Sequence, residues 1–251
     1  MITVEQITKG FASKEVLKGI SASFKEGLTN LVIGQSGSGK TVFIKCMVGL
    51  HEIDGGSISY DGRRLDEMNY STRKELRQEI GMVFQGGALF DSMTIEENVM
   101  FPLNMFSSMN FSEKMDRVNF CLRRVNLENV NHLRPAEVSG GMQKRVAIAR
   151  AIVMEPKYLF CDEPNSGLDP QTAIVIDNLI QEITQEFEIT TVINTHDMNS
   201  VMEIGQHIVF IKEGLKAWEG SNEELVESGN EDVSNFVFSS NLMRKIRKNI
   251  Q

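Results

Sequence analysis

The sequence predicts an α/β fold with a parallel-sheet core, and three observations carry that prediction. Short apolar runs at Thr29 to Ile33, Ile80 to Phe84 and Lys157 to Cys161 have the length and continuity of strands buried on both faces. Turns and helical patterns separate them, the alternation that builds a parallel sheet. The turn after the first run, Gly34 to Thr41, reads Gly-Gln-Ser-Gly-Ser-Gly-Lys-Thr and fits the phosphate-loop pattern G-x-x-x-x-G-K-[ST] at every fixed position. In such a loop Gly34, Gly37 and Gly39, with Gln35, Ser36 and Ser38, turn successive N–H groups inward on a polyphosphate. Lys40 reaches the outer phosphates, and the Thr41 hydroxyl can hold Mg²⁺. Thr41 to Leu50 carries apolar residues at helical spacing, so strand, loop and helix stand in the order the motif requires.

Composition narrows the class. A chain of 251 residues accommodates one large α/β domain, or one domain with an inserted subdomain. A net charge of -8 argues against wrapping nucleic acid, which is bound through clustered Lys and Arg. The three cysteines, Cys46, Cys121 and Cys161, are far apart and lack metal-ligand spacing, so buried thiols in a reducing compartment are expected. No apolar run approaches the ~18 to 20 residues that cross a bilayer, and Met-Ile-Thr-Val-Glu does not open a secretory signal. The expectation is a soluble cytoplasmic protein that reaches a membrane only through a partner.

Taken in order, residues 2 to 7 alternate as a strand, and a second strand reads through Ile20 to Phe24. Phe11, in the turn between them, can stack on an adenine ring or simply pack. Residues 55 to 62 read as turn, strand, turn; residues 71 to 78 are charged and helical; Gln85 follows the next strand. From Thr94 to about Asn129 the composition turns helical and methionine-rich, with Met93, Met100, Met105, Met109 and Met115. These methionines fill a small helical core or form an adaptable surface for another protein. Ser139-Gly140-Gly141 opens a helix whose N-terminus can receive an anion, though ordinary N-capping explains Ser139 equally well. Asp162 and Glu163 end the strand Tyr-Leu-Phe-Cys, a placement suited to Mg²⁺ coordination and activation of water, or to mere loop solvation. A helix over 170 to 187 and a β-branched strand Thr190 to Asn194 lead to His196, and a further strand reads through His207 to Ile211. His196, structural in isolation, stands at a strand end that can face a ligand.

Over nearly its whole length the chain resembles the nucleotide-binding subunits of ATP-binding cassette (ABC) transporters. In family terms Phe11 is similar to the adenine-stacking aromatic, Gly34 to Thr41 to the Walker A loop and Gln85 to the Q-loop glutamine. Val138-Ser139-Gly140-Gly141-Met142 resembles the signature, and Asp162 and Glu163 the Walker B metal acid and catalytic carboxylate. Asp169 resembles the D-loop aspartate and His196 the switch histidine.

The resemblance implies a P-loop NTPase ABC-cassette fold: a RecA-like parallel-sheet core with an N-terminal antiparallel β-subdomain and an inserted α-helical subdomain. Residues 1–85 and 157–220 would form the core with the β-subdomain, 86–156 the helical and signature subdomain, and 221–251 a C-terminal extension. It implies ATP and Mg²⁺ as ligands, with Thr41, Gln85 and Asp162 toward the metal. Cassettes of this kind pair head to tail, each closing its Ser139 to Met142 helix end on the γ-phosphate held by the other's Walker A loop. Glu163 would polarise the attacking water, with Gln85 and His196 completing the catalytic set, and Lys40 would stabilise the transferred phosphoryl group.

The ending in Met142, with Gln143 displaced by one, and the stretch Gln85-Gly86-Gly87-Ala88-Leu89-Phe90-Asp91-Ser92-Met93 resemble the ATPases of phospholipid transporters that work with MCE (mammalian cell entry) proteins, the maintenance-of-lipid-asymmetry type. The partners implied are a second cassette, an integral-membrane permease whose coupling helix meets the Q-loop and helical subdomain, and an MCE-domain lipid-binding protein. The last thirty residues hold an acidic segment, Phe236-Val237-Phe238 and a basic end at Arg244, Lys245, Arg247 and Lys248. They read as a solvated helix and tail, or as a contact with the partner cassette. The alternatives are the ATPase of another importer or exporter, and a soluble ABC protein closing an ATP-driven clamp. Against the clamp stand the absence of a long coiled coil, of a second cassette in the sequence and of a basic excess.

Overall fold

The structure is a computed structural model that describes residues 1–12 and 14–237. The chain divides into two compact units: Met1–Glu67 together with the chain from Asn194 onward, and Met68–Ile193.

The first unit begins with β1 (Ile2–Phe11) and β2 (Lys14–Phe24), an antiparallel pair in which Ile2 lies opposite Phe24. Their inward residues Ile2, Val4, Ile7, Leu17, Ile20 and Phe24 are buried, while charged residues alternate outward, the period-2 pattern of a half-buried sheet. β3 (Thr29–Ile33) is buried at every position and feeds the phosphate loop, from which α1 (Lys40–Met47) departs. β4 (Gly55–Tyr60) pairs antiparallel with β1, and the short β5 (Arg63–Arg64) closes a four-stranded sheet in the order β2-β1-β4-β5. Tyr60, fully buried, donates its hydroxyl proton to Met47 O at 2.6 Å and so fastens this sheet to the end of α1.

The second unit opens with α2 (Tyr70–Gln78) and β6 (Ile80–Val83). α3 (Ile95–Phe106) and α4 (Phe111–Arg124) each start with a capping box, Thr94 with Glu97 and Asn110 with Glu113, which satisfies backbone donors that the first helical turn leaves without partners. α5 (Gly140–Ile152) packs against α3, α4 and β6 through Val146, Ile148, Ala149 and Ile152, all buried. β7 (Tyr158–Asp162) pairs parallel with β6 in register Ile80 to Tyr158 through Val83 to Cys161. α6 (Pro170–Glu186) then leads to β8 (Thr190–Thr195), giving the order β8-β7-β6. The buried hydroxyls of Thr184 and Thr191, 2.7 Å apart, satisfy each other where α6 covers β8.

The boundary between units falls inside β8, and the chain returns to the first unit with α7 (Met198–Ile204). β9 (His207–Lys212) pairs parallel with β3 and antiparallel with β10 (Leu215–Gly220). α8 (Asn222–Glu227) and α9 (Glu231–Val237) follow, with the Phe236 ring stacked on Phe210 at 5.1 Å and Asp232 paired to Lys212. Two short helices thus occupy the acidic segment after Ser221, and the second of them, α9, packs on β9. Phe238 and the basic end at Arg244, Lys245, Arg247 and Lys248 lie outside the described residues.

Candidate active site

In the first unit the phosphate loop is shaped by its glycines. A Cβ on Gly34 would stand 2.2 Å from Ile211 O and 2.7 Å from Ser38 Oγ, so no side chain fits there. Gln35, Ser36 and Gly37 form an exposed crest, and Ser38 N donates to Gln35 O at 3.1 Å to close the turn. Lys40, 5% exposed, folds its ammonium back over the loop and donates to Gly34 O at 2.9 Å and Gln35 O at 3.1 Å. The buried Ser38 hydroxyl has no hydrogen-bond partner among the described residues. A buried hydroxyl left this way, beside a held ammonium and a helix N-terminus, fits a phosphate group. Thr41 Oγ1 accepts from Asn194 Nδ2 at 3.2 Å, which orients the hydroxyl at the start of α1.

His196 is exposed just past β8, where the chain turns into α7 under the cap of Asp197 on Asn199 N. Phe11, at the end of β1, is 43% exposed; His51 meets its ring edge-to-face at 5.2 Å, and Lys9 Nζ lies 5.4 Å from its centroid. An aromatic ring held this way at the surface is a platform for a planar group.

In the second unit, fully buried β7 delivers Asp162, 6% exposed, and then Glu163. Glu163 adopts φ 48, a region sparsely populated by residues other than glycine. Its backbone is held by Ser166 N donating to Glu163 O at 3.1 Å. Gln85 Nε2 donates to Glu163 Oε2 at 2.9 Å, so two residues read separately from the sequence meet. Gln85 is itself gripped from α5: Lys144 Nζ donates to Gln85 O, while Arg150 donates to Gly87 O at 2.6 Å and Ala88 O at 2.8 Å. Burial pushes the Lys144 ammonium below the ordinary lysine range, and the charge of Glu163 pulls it back up.

The same unit presents the turn ahead of α5. Ser139 Oγ accepts from Met142 N at 3.3 Å as the N-cap, so capping and a helix end able to meet an anion coexist at this residue. A Cβ on Gly141 would stand 2.7 Å from Thr172 Cγ2, whereas one on Gly140 meets nothing nearer than Leu168 Cδ2 at 3.9 Å. A side chain at Gly141 would therefore force Thr172 of α6 to shift. Gly141→Ala is expected to cost about 1–3 kcal/mol through overpacking. Gly140→Ala should stay within about 0.5 kcal/mol of the parent. Thermal denaturation followed by circular dichroism checks both. Asp169 caps α6, accepting from Gln171 N, Thr172 N and Thr172 Oγ1; the Thr172 hydroxyl first, then its backbone N–H, holds this carboxyl below the usual range.

The sequence pattern of the ABC transporter family matches residues 17–166, more than half of the chain. The chain belongs to the ABC transporter family. Among curated proteins it is 40% identical over 213 residues to the methionine import ATP-binding protein MetN of Clostridium tetani, covering 84% of this chain and 66% of that protein. It is 34% identical to the probable ribonucleotide transport ATP-binding protein mkl of Mycobacterium leprae, covering 94% and 68%. The chain thus spans about two thirds of the length of these relatives. Among solved structures, the dimeric post-hydrolysis state of the ATP-binding cassette MJ0796 bound to ADP and Pi superposes with a TM-score of 0.80 at 30% identity, covering 88% of this chain and 99% of that one. The fold is that of an ABC cassette, and the chain is an ABC-type ATPase that binds ATP with Mg²⁺.

Within this ABC ATPase, Gln143, one place beyond the signature position held by Met142, is engaged inside its own chain. Its amide donates to Pro135 O at 2.9 Å and Val138 O at 3.4 Å, bracing the turn before α5. Among the described residues no three His, Cys, Asp or Glu side chains cluster as a metal cage. Mg²⁺ characteristically takes one or two carboxylates plus substrate phosphates and not an all-protein cage, and the carboxylate of Asp162 at the end of β7 is a donor of that type. Asn194, Lys144 and Arg150 were not singled out from the sequence. Asn194 carried a signal, a polar residue in an otherwise buried β-branched strand, whereas the two cations lie off the apolar face by which the helix is recognised. The thiols of Cys46 and Cys121 are pushed up to about 11 by burial and that of Cys161 higher still, a setting that disfavours the thiolate at neutral pH. Among the described residues no helix is long and apolar enough to cross a membrane.

Proposed function

We propose that this ATPase energises phospholipid transport between membranes, at the inner face of the cytoplasmic membrane, bound to an integral-membrane permease that works with an MCE-type lipid-binding protein. The observation that carries this reading is a groove of about 430 Å³ in the second unit. Phe84, Ala88 and Phe90, within or beside the stretch that resembles the lipid-transport ATPases, line it opposite Phe101, Pro102 and Phe106 of α3. Phe90 and Phe106 are 40% and 43% exposed, and an apolar groove with exposed rings suits an inserted helix.

The chemistry assigned to each residue follows from its type and setting. Backbone N–H groups of Gly34 to Thr41 and the Lys40 ammonium bind the outer phosphates; Phe11 receives the adenine. Thr41, Asp162 and Gln85 are the residues that would hold Mg²⁺, which when bound neutralises charge on the phosphate oxygens. Glu163 accepts a proton from the attacking water, Gln85 orients Glu163, and His196 stabilises charge on the transferred phosphoryl group. A second copy of the chain, paired head to tail, presents Ser139 to Met142 to the same nucleotide, with Asp169 in the turn beside it. The dimeric state of the MJ0796 cassette supports this pairing.

A second reading, import of a small solute such as methionine, is favoured by the 40% identity to MetN. One experiment separates the two. The complex isolated from native membranes is expected to contain a permease, an MCE-domain protein and bound phospholipid, and Phe90→Glu with Phe106→Glu should abolish permease retention while ATP binding persists. A complex with a permease but no lipid-binding protein, whose ATPase responds to methionine, would establish the importer reading instead.

A further inference from the structure

We propose that Lys144 is a positioning residue for hydrolysis: from the helix that begins at the signature it fixes the backbone of Gln85, so that the Gln85 side chain holds Glu163 in place. The inference rests on the assignment of Glu163 as the catalytic carboxylate. It concerns contacts made wholly inside the second unit.

Lys144 is 7% exposed, unusual for a lysine unless its ammonium has a task. The ammonium donates to Gln85 O, and the negative charge acting on it is that of Glu163. Gln85 is held at both ends, its carbonyl by Lys144 and its Nε2 by Glu163 Oε2 at 2.9 Å, with Ser166 Oγ at 3.5 Å. Six residues further along α5, Arg150 fixes Gly87 and Ala88 through their carbonyls. Arg150 therefore anchors the later part of the loop, and Lys144 alone among these α5 cations reaches the residue that touches Glu163. The glutamate needs such support because its φ of 48 is strained for a residue with a side chain. A second consequence follows from sequence distance. Lys144 lies two residues after Met142, so any shift of the α5 N-terminus on meeting a nucleotide moves the Lys144 ammonium and, through Gln85, the carboxylate.

The test compares Lys144→Met, Lys144→Arg, Gln85→Ala and the Lys144→Met/Gln85→Ala double variant in the full chain. Steady-state ATPase kinetics are read beside direct ATP binding and thermal denaturation. Lys144→Met should lower kcat roughly 10- to 100-fold, the usual cost of removing a partner that orients a reacting group. The affinity for ATP should stay within about twofold, because the interaction lost belongs to turnover and not to uniform binding. Lys144→Arg, which keeps a cationic donor, should retain more turnover than Lys144→Met. The double variant should be no slower than Gln85→Ala, since both act through one contact. Multiplying losses in the double variant, or a KM and melting shift with kcat unchanged, would overturn the proposal. A normal Lys144→Met beside an inactive Glu163→Gln would sink it alone, whereas an active Glu163→Gln would remove the catalytic assignment beneath it.

Discussion

Glu163→Gln is expected to bind ATP with the affinity of the parent chain and to release phosphate about 10²- to 10⁴-fold more slowly, the range for loss of a general base. The amide is nearly isosteric with the carboxylate. It can still accept a hydrogen bond from Gln85 Nε2, now 2.9 Å from Glu163 Oε2, so the geometry of the loop should survive. What the substitution removes is the capacity to take a proton from water. The phosphate loop is untouched, since Gly34 to Thr41 and the Lys40 contacts do not involve this residue. With hydrolysis blocked, ATP should hold two copies together, and the variant should elute as a dimer in ATP and as a monomer without it. Equilibrium binding of labelled ATP, phosphate release and gel filtration read the three outcomes. Turnover at the parent rate would show that another group activates the water.

The parts of this fold that the sequence discloses are those whose function depends on consecutive residues. Gly34 to Thr41 is a loop in which neighbouring N–H groups act together, so its chemistry is written in one short string. Asp162 and Glu163 are legible for a related reason, because Tyr158 to Cys161 reads as a buried strand and the structure buries every position of it. Elements with mixed exposure were harder to read. β2 begins at Lys14, well before the expected Ile20, because Lys14, Glu15 and Lys18 face solvent and mask the alternation through Leu17. β10, Leu215–Gly220, is exposed or half-buried at every position and carries no periodic signal. α7 is a single short helix after Asp197 in a stretch expected to be only a turn. The grip of Lys144 on Gln85 was invisible because it joins residues far apart in sequence through one side chain and one carbonyl. Hydrophobic pattern predicts burial, and a buried lysine runs against it.

Lys40→Ala should act on the earlier step, weakening ATP binding about 10- to 100-fold, as expected for loss of hydrogen bonds from a charged donor worth ~1.5–3 kcal/mol. In the chain as folded the ammonium is buried and donates to Gly34 O and Gln35 O, so it is already turned toward the loop that receives the phosphates. Little side-chain entropy then remains to be lost when a phosphate arrives, and the charge sits where dielectric screening is weak. Removing it also leaves the two carbonyls without this donor. A looser loop would lower the affinity for every nucleotide alike, whereas loss of the charge should bear most on the nucleotide with the outermost phosphate. Calorimetric titration with ATP, ADP and AMP separates these causes. A deficit that grows from AMP to ATP supports the direct contact; an equal deficit for all three would mean that Lys40 serves only to shape the loop.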